Sequence, residues 1–171
     1  MRSNLLTFSG VVVRTLFGLN ILFAVIFLLL LSWWSFAPTG IEAALTRKYG
    51  GASAGDILDL IRIVLALGVL TSVPTGMLLA MLLRMIRTVH EGTPFIPANA
   101  RRLRIMAWLV LALQLANVAF GVLGTYAETL RADWVGWSPS VMGWLMVLLL
   151  FVLARIFEEG VAMRDDLEGT V

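Results

Sequence analysis

Asp59 and Arg62 stand three residues apart, a spacing that places both on one helical face and lets them pair. Asp56, Glu128, Arg131 and Asp133 are expected at the same depth. Arg62 is the deepest ionisable group on this side, and an ionisable group inside a membrane is by default a functional candidate. It lies about five residues from the expected helix start, roughly 7.5 Å at the helical rise, so its side chain reaches the interface by snorkelling. A satisfied ion pair and an extracytoplasmic ligand site are both open readings.

A second group lies between Arg84 and Arg104, where Arg84, Arg87, Arg101, Arg102, Arg104 and His90 face one acid, Glu91. Such a segment attracts anionic lipid head groups at about 1 kcal/mol per charge, and equally suits an acidic protein surface or nucleic acid phosphate. The same arginines also serve insertion, by holding the loop on one side. Within this loop Pro94 and Pro97 stop the preceding helix. Asn99 is expected to cap the next one near Ala100, and Phe95 to pack on the bundle's inner mouth. The C-terminal segment opposes Glu158, Glu159, Asp165, Asp166 and Glu168 to Arg155 and Arg164, with Phe157, Val161, Met163 and Leu167 interspersed. It either folds back on the arginine segment or offers itself to another protein.

All of this is ionic and hydrogen-bonding recognition rather than bond-making chemistry. The chain has no cysteine and a single histidine, which excludes structural disulfides, thiolate zinc sites, iron–sulfur ligation, paired-histidine haem and a cysteine nucleophile. No metal and no cofactor is expected. The apolar segments hold no carboxylate and no histidine, so general acid–base catalysis has no positioned groups there, and an enzyme is not expected.

The elements that carry these residues follow from composition. Of 171 residues 60% are apolar and 14% charged, against about 45–50% and about 25% in soluble domains. Four uncharged stretches, Thr15–Ile41, Ile63–Leu83, Ile105–Ala127 and Trp134–Ala154, contain 27, 21, 23 and 21 residues. Each is long enough to cross a bilayer, which takes about 20 apolar residues. The expected architecture is therefore an all-α integral membrane protein, one domain with four transmembrane helices in a single bundle. The helices are placed at about 11–36, 57–87, 103–125 and 138–159, with an acidic tail over 160–171. A short surface helix is expected over Ile41–Tyr49.

Alternating the connections across the membrane puts Arg2, Arg14, Arg84, Arg87, Arg101, Arg102, Arg104, Arg155 and Arg164 on one side. Arg47, Lys48, Arg62 and Arg131 fall on the other. Nine cations against four place both termini in the cytoplasm. Trp33, Trp34, Trp134 and Trp137 then all fall at the outer interface, where indole rings prefer to sit. Ser35 and Ala37 have the spacing of a signal-peptide cleavage site. The apolar run before them is too long for a signal core and Pro38 follows directly, so the segment reads as a retained helix.

Inside the second helix Pro74, with Thr71, Ser72 and Thr75, predicts a kink, read either as packing or as a hinge beside a small cavity. Ala112, Ala116 and Gly124 of the third helix permit close approach of a neighbouring helix, and so also a homo-oligomer. Gln114 and Asn117 lie near one another on that helix. They are expected to clasp across helices, with Asn20 as a partner, or to contact a polar ligand.

The Gly92, Pro94, Phe95 turn with Asn99 and Leu103, and the ending Phe157, Gly160, Asp165, Gly169-Thr170-Val171, resemble a large family of small four-helix bacterial membrane proteins. It is known as domain-of-unknown-function family twenty-nine seventy-five. Its members are frequently encoded beside a very small helix-turn-helix regulator, and the resemblance implies a membrane component that holds or senses for a transcription factor. The function expected is non-enzymatic. The loop and tail, through Phe95, Arg101, Arg102, Arg104, Phe157, Asp165, Asp166 and Glu168, would dock a small cytoplasmic protein of that kind, with membrane lipids around the helices and no direct nucleic acid. The alternative is an accessory subunit or binding module for a lipid or hydrophobic small molecule, held beside Pro74 by Gln114 and Asn117.

Overall fold

Five helices follow one another along the chain: α1 Arg2–Phe36, α2 Pro38–Tyr49, α3 Gly51–His90, α4 Pro97–Thr129 and α5 Val141–Glu168. The computed structural model describes residues 2–36, 38–134 and 136–168, apart from the side chains of residues 2–5, 35–36, 38–39, 51–53, 165 and 167–168. Ala37 and the Gly169-Thr170-Val171 ending therefore lie outside the described residues, as does the Ser35 side chain.

The long helices overrun their expected limits. α1 starts at Arg2 rather than near Val11, α3 runs beyond 57–87 at both ends, and α4 runs beyond 103–125 in the same way. The fourth long helix starts a little later, at Val141, and the segment read as an acidic tail is helical as far as Glu168. The reason is physical. A charged residue marks where a helix leaves hydrocarbon, but arginine and glutamate are good helix formers and do not end it.

What ends the helices is turn chemistry. Gly92, at φ 78°, donates its N–H to Val89 O while Thr93 N–H reaches Thr88 O, the paired bonds that close a helix on a left-handed residue. The same pair of bonds closes α4, from Arg131 to Glu128 O and from Ala132 to Ala127 O. There the left-handed position is held by Arg131, φ 53°, where glycine is the usual occupant. Ser140 starts α5 by accepting the Gly143 N–H on its hydroxyl. α3 stays helical through Pro74. Just before it Thr71 Oγ1 donates to Leu67 O at 2.9 Å and Ser72 Oγ to Val69 O at 2.6 Å, so these hydroxyls bond the carbonyls of the preceding turn.

The chain divides into two compact units, Met1–Asn20 with Pro74–Gln114 and Ser140–Val171, and Ile21–Val73 with Leu115–Pro139. The first unit is centred on Leu103, Met106, Ala107, Leu150 and Ala154, with Leu82, Met85 and Phe157 packed around them. Trp108 meets Phe151 edge-on at 5.3 Å. In the second unit Ile57, Leu58, Leu60 and Ala127 are buried, and Phe27 lies directly over Gly68.

In that second unit two glycines of α4 lie under rings. A Cβ on Gly121 would stand 2.6 Å from the Trp137 ring, and one on Gly124 would enter Trp134, which stacks against Phe120 at 4.9 Å. Ala112 is exposed.

Outside these cores the chain is apolar and bare. Leu29 is 64% exposed, Leu70 68%, Val122 62% and Leu148 62%, on helices otherwise nearly free of charge. In water that surface would cost about 25 cal/mol per Å². Four helices, Leu6–Trp34, Ala54–His90, Pro97–Thr129 and Val141–Arg164, are long and apolar enough to cross a membrane, and the protein is a membrane protein.

Because Gly121 sits under a rigid ring, Gly121→Ala is expected to lower stability by about 1–3 kcal/mol through overpacking. Gly18→Ala, whose Cβ meets open space, should leave it unchanged or slightly raised. Thermal melting of both variants in detergent checks the contrast.

Candidate functional site

The turn between α3 and α4 is held by a single fully buried amide, Asn99. Its Nδ2 donates to Thr88 Oγ1 at 2.7 Å and to Pro94 O at 2.8 Å, and its Oδ1 accepts from Arg102 Nη1 at 2.7 Å. The expected cap is thus a clamp. Pro97 fills the first helical position, where no donor is needed, so Asn99 lies within the first turn and its side chain reaches back to α3 instead.

The clamp fixes the loop that presents Phe95. That ring packs on Phe157 at 5.1 Å and covers Gly160 so closely that a Cβ there would stand 2.8 Å away, yet it remains 43% exposed. Beside it Arg104 pairs with Glu158. Arg155 lies 3.8 Å from Glu158 and 3.0 Å from Glu159. Loop and C-terminal segment therefore meet, with the segment arriving as a straight continuation of α5 rather than as a folded-back tail.

Of the candidate docking residues, Arg102 and Arg104 are engaged inside the chain and Phe157 joins the core. Arg101, Asp166 and part of Phe95 are exposed. Asp165 and Glu168 belong to α5, and their side chains lie outside the described residues.

The intramembrane amides do not meet in one clasp. Asn117 accepts the Trp137 indole N–H at 2.9 Å, Gln114 fills the space over Gly143, and the Asn20 amide lies 3.2 Å from where a Gly76 Cβ would be. Sequence reasoning missed the partner of Asn117 because that indole comes from the connector and not from a helix.

In the second unit Asp59 and Arg62 pair at 2.9 Å, as their spacing requires. Glu128 is exposed. The stronger cluster joins α2 to the α4–α5 connector. Lys48 Nζ donates to Asp133 Oδ2 at 2.6 Å, the Tyr49 hydroxyl donates to the same oxygen at 3.1 Å, and Lys48 lies 4.8 Å from the Tyr49 ring centre.

The hydrogen bond from Lys48 holds the Asp133 carboxyl below its ordinary range, and that carboxylate in turn raises the Lys48 ammonium. The Asp133 contribution is present above the ordinary carboxylate pKa and is lost as pH falls through the lowered one. The Lys48 contribution is present below the ordinary lysine pKa and is lost as pH rises through the raised one. Both partners are exposed, so the pair positions α2 more than it stabilises the fold.

Lys48 is the only lysine in the chain. Acylation of its amine at about pH 10, near the ordinary lysine pKa, is expected to be slow in the native protein and severalfold faster in Asp133→Asn. Equal rates, read by mass spectrometry of the labelled peptide, would show that the contact does not persist in solution.

No curated protein and no solved structure matches the chain. A family model described as Protein of unknown function (DUF2975) matches residues 6–171, nearly the whole length, and the Phe95 turn with its contacts to Phe157 and Gly160 lies inside it. The chain belongs to that family.

Proposed function

We propose that the protein is a non-enzymatic regulatory or sensor component of a bacterial inner membrane, with both termini cytoplasmic. Its Phe95 loop and the end of α5 together dock a small cytoplasmic protein. The observation that carries this reading is the joining of loop and helix. The Phe95–Phe157 ring pair and the Arg104–Glu158 ion pair make one continuous surface from two segments that are distant in sequence.

Three further points support it. α5 is 28 residues long, about 42 Å at 1.5 Å per residue, while the hydrocarbon core is about 30 Å, so its last turns extend beyond a membrane. Those turns carry exposed Met163 and Asp166, and the sequence there adds Arg164, Asp165 and Glu168, a mixed apolar and acidic segment. The arginine distribution, nine against four, supports a cytoplasmic position for this surface.

An acidic segment suits a partner that is basic because it reads DNA, and the family resemblance points to a small helix-turn-helix regulator. Asp165, Asp166 and Glu168 would compete with phosphate for that partner's DNA-reading surface. Ligand binding beside Pro74 gains no comparable support, since Asn117 is bonded to Trp137 and Gln114 packs over Gly143.

A detergent pull-down from the cytosol of the source cell is expected to recover a small basic DNA-binding protein with the full chain, and duplex DNA should release it. A chain truncated after Glu159 keeps the ion pairs but loses the last turns of α5, and is expected to recover none. Equal recovery by the truncated chain would overturn the docking role.

A further inference from the structure

Between the first turns of α1 and the last turns of α3 lies a cavity of about 430 Å³, its walls including Leu6, Gly10 and Arg14 on one side and Leu83, Arg84 and Arg87 on the other. We propose that this cavity binds the phosphate of an anionic phospholipid, a role separate from the docking surface and resting on different residues. The first argument is depth. Arg14 directly precedes the uncharged stretch Thr15–Ile41 and Arg84 directly follows Ile63–Leu83, so both bound the uncharged stretches, a depth from which an arginine side chain snorkels to lipid phosphates.

The second argument is charge balance. Arg104 and Arg155 hold the equivalent edge positions on α4 and α5, immediately before Ile105 and after Ala154, and both are neutralised by Glu158, with Glu159 also on Arg155. Arg14 and Arg84 have no ion pair and no hydrogen bond among the described residues, and no Asp or Glu lines their cavity. Arg87 is already paired with Glu91 at 2.8 Å. Two cations with no counter-charge among the described residues therefore share one concavity, which suits an anionic ligand. Guanidinium groups match phosphate oxygens in bidentate geometry.

The third argument is shape. Leu6 and Leu83 give the cavity an apolar lining suited to the glycerol and first methylenes of a lipid, which a free phosphate ion does not use. Gly10 is buried, yet a Cβ built on it meets nothing within 4 Å, so the cavity wall has room for a side-chain carbon at this position. Basic pockets between membrane helices are a recurrent way of holding such head groups.

The test is native mass spectrometry of detergent-solubilised protein equilibrated with phosphatidylglycerol or with phosphatidylcholine. Wild type is expected to retain phosphatidylglycerol in preference. Arg14→Gln and Arg84→Gln should each cut that preference about fivefold, and the double variant should abolish it, while Arg47→Gln on α2 leaves it intact. Gly10→Leu, which keeps every arginine, should also abolish it while melting in lipid-free detergent at the wild-type temperature.

Equal retention of the two lipids by wild type, or an undiminished preference in either the double variant or Gly10→Leu, would overturn the site. A final arm adds millimolar inorganic phosphate without lipid. No change in melting temperature supports a lipid source, and a saturable rise equal to that given by phosphatidylglycerol would overturn it in favour of a soluble anion.

Discussion

A helix that carries leucine, valine and phenylalanine on every side needs a solvent that dissolves them, and for a span of this length that solvent is hydrocarbon. Every other feature of the molecule is arranged around that requirement. Backbone polar groups are satisfied within the helices, with Thr71 and Ser72 returning their hydroxyls to the carbonyls before Pro74. Side-chain polarity is used sparingly and in private: Asn117 is spent on an indole and Gln114 on the space above a glycine. Ionisable groups are kept to either side of the uncharged stretches.

Outside those stretches, the charges have two fates. Where an acid is within reach they neutralise one another, as Arg104 and Arg155 do around Glu158 or Lys48 does with Asp133. Such contacts add to the packing of α4 on α5 beside the Phe95 loop, and they tie α2 to the connector. Where the described residues supply no acid, as at Arg14 and Arg84, the charge is open to the proposed lipid. The two proposed interactions, a protein on the loop and α5 and a lipid head group between α1 and α3, correspond to these two fates.

Much of the fold was legible in composition because hydrocarbon imposes a coarse, one-dimensional rule. Uncharged runs locate four spanning helices, and the Asp59–Arg62 spacing correctly foretells an ion pair. Helix ends were not legible from charge, since glycine, proline and hydroxyl caps set them. Nor was the role of Asn99. A buried asparagine beside two prolines reads locally as a cap, while its partners Thr88 and Arg102 become visible only when α3 and α4 are brought together.

The Trp134 and Trp137 contacts did leave a trace. Two glycines three apart, Gly121 and Gly124, are mirrored by two tryptophans three apart about the α4 terminus, the pattern of a chain that turns back along its own helix. Interface preference alone explains those tryptophans differently, which is why the pattern is easily passed over.

The docking account requires that the Phe95 loop and the end of α5 share a compartment and that α2 face the other one. The chain has no native cysteine, so single introduced cysteines can be read without background. With Gly92→Cys, Met163→Cys and Arg47→Cys made separately, a membrane-impermeant maleimide applied to intact spheroplasts should label only Arg47→Cys, the other two reacting after lysis. Labelling of Gly92→Cys or Met163→Cys before lysis would contradict the account.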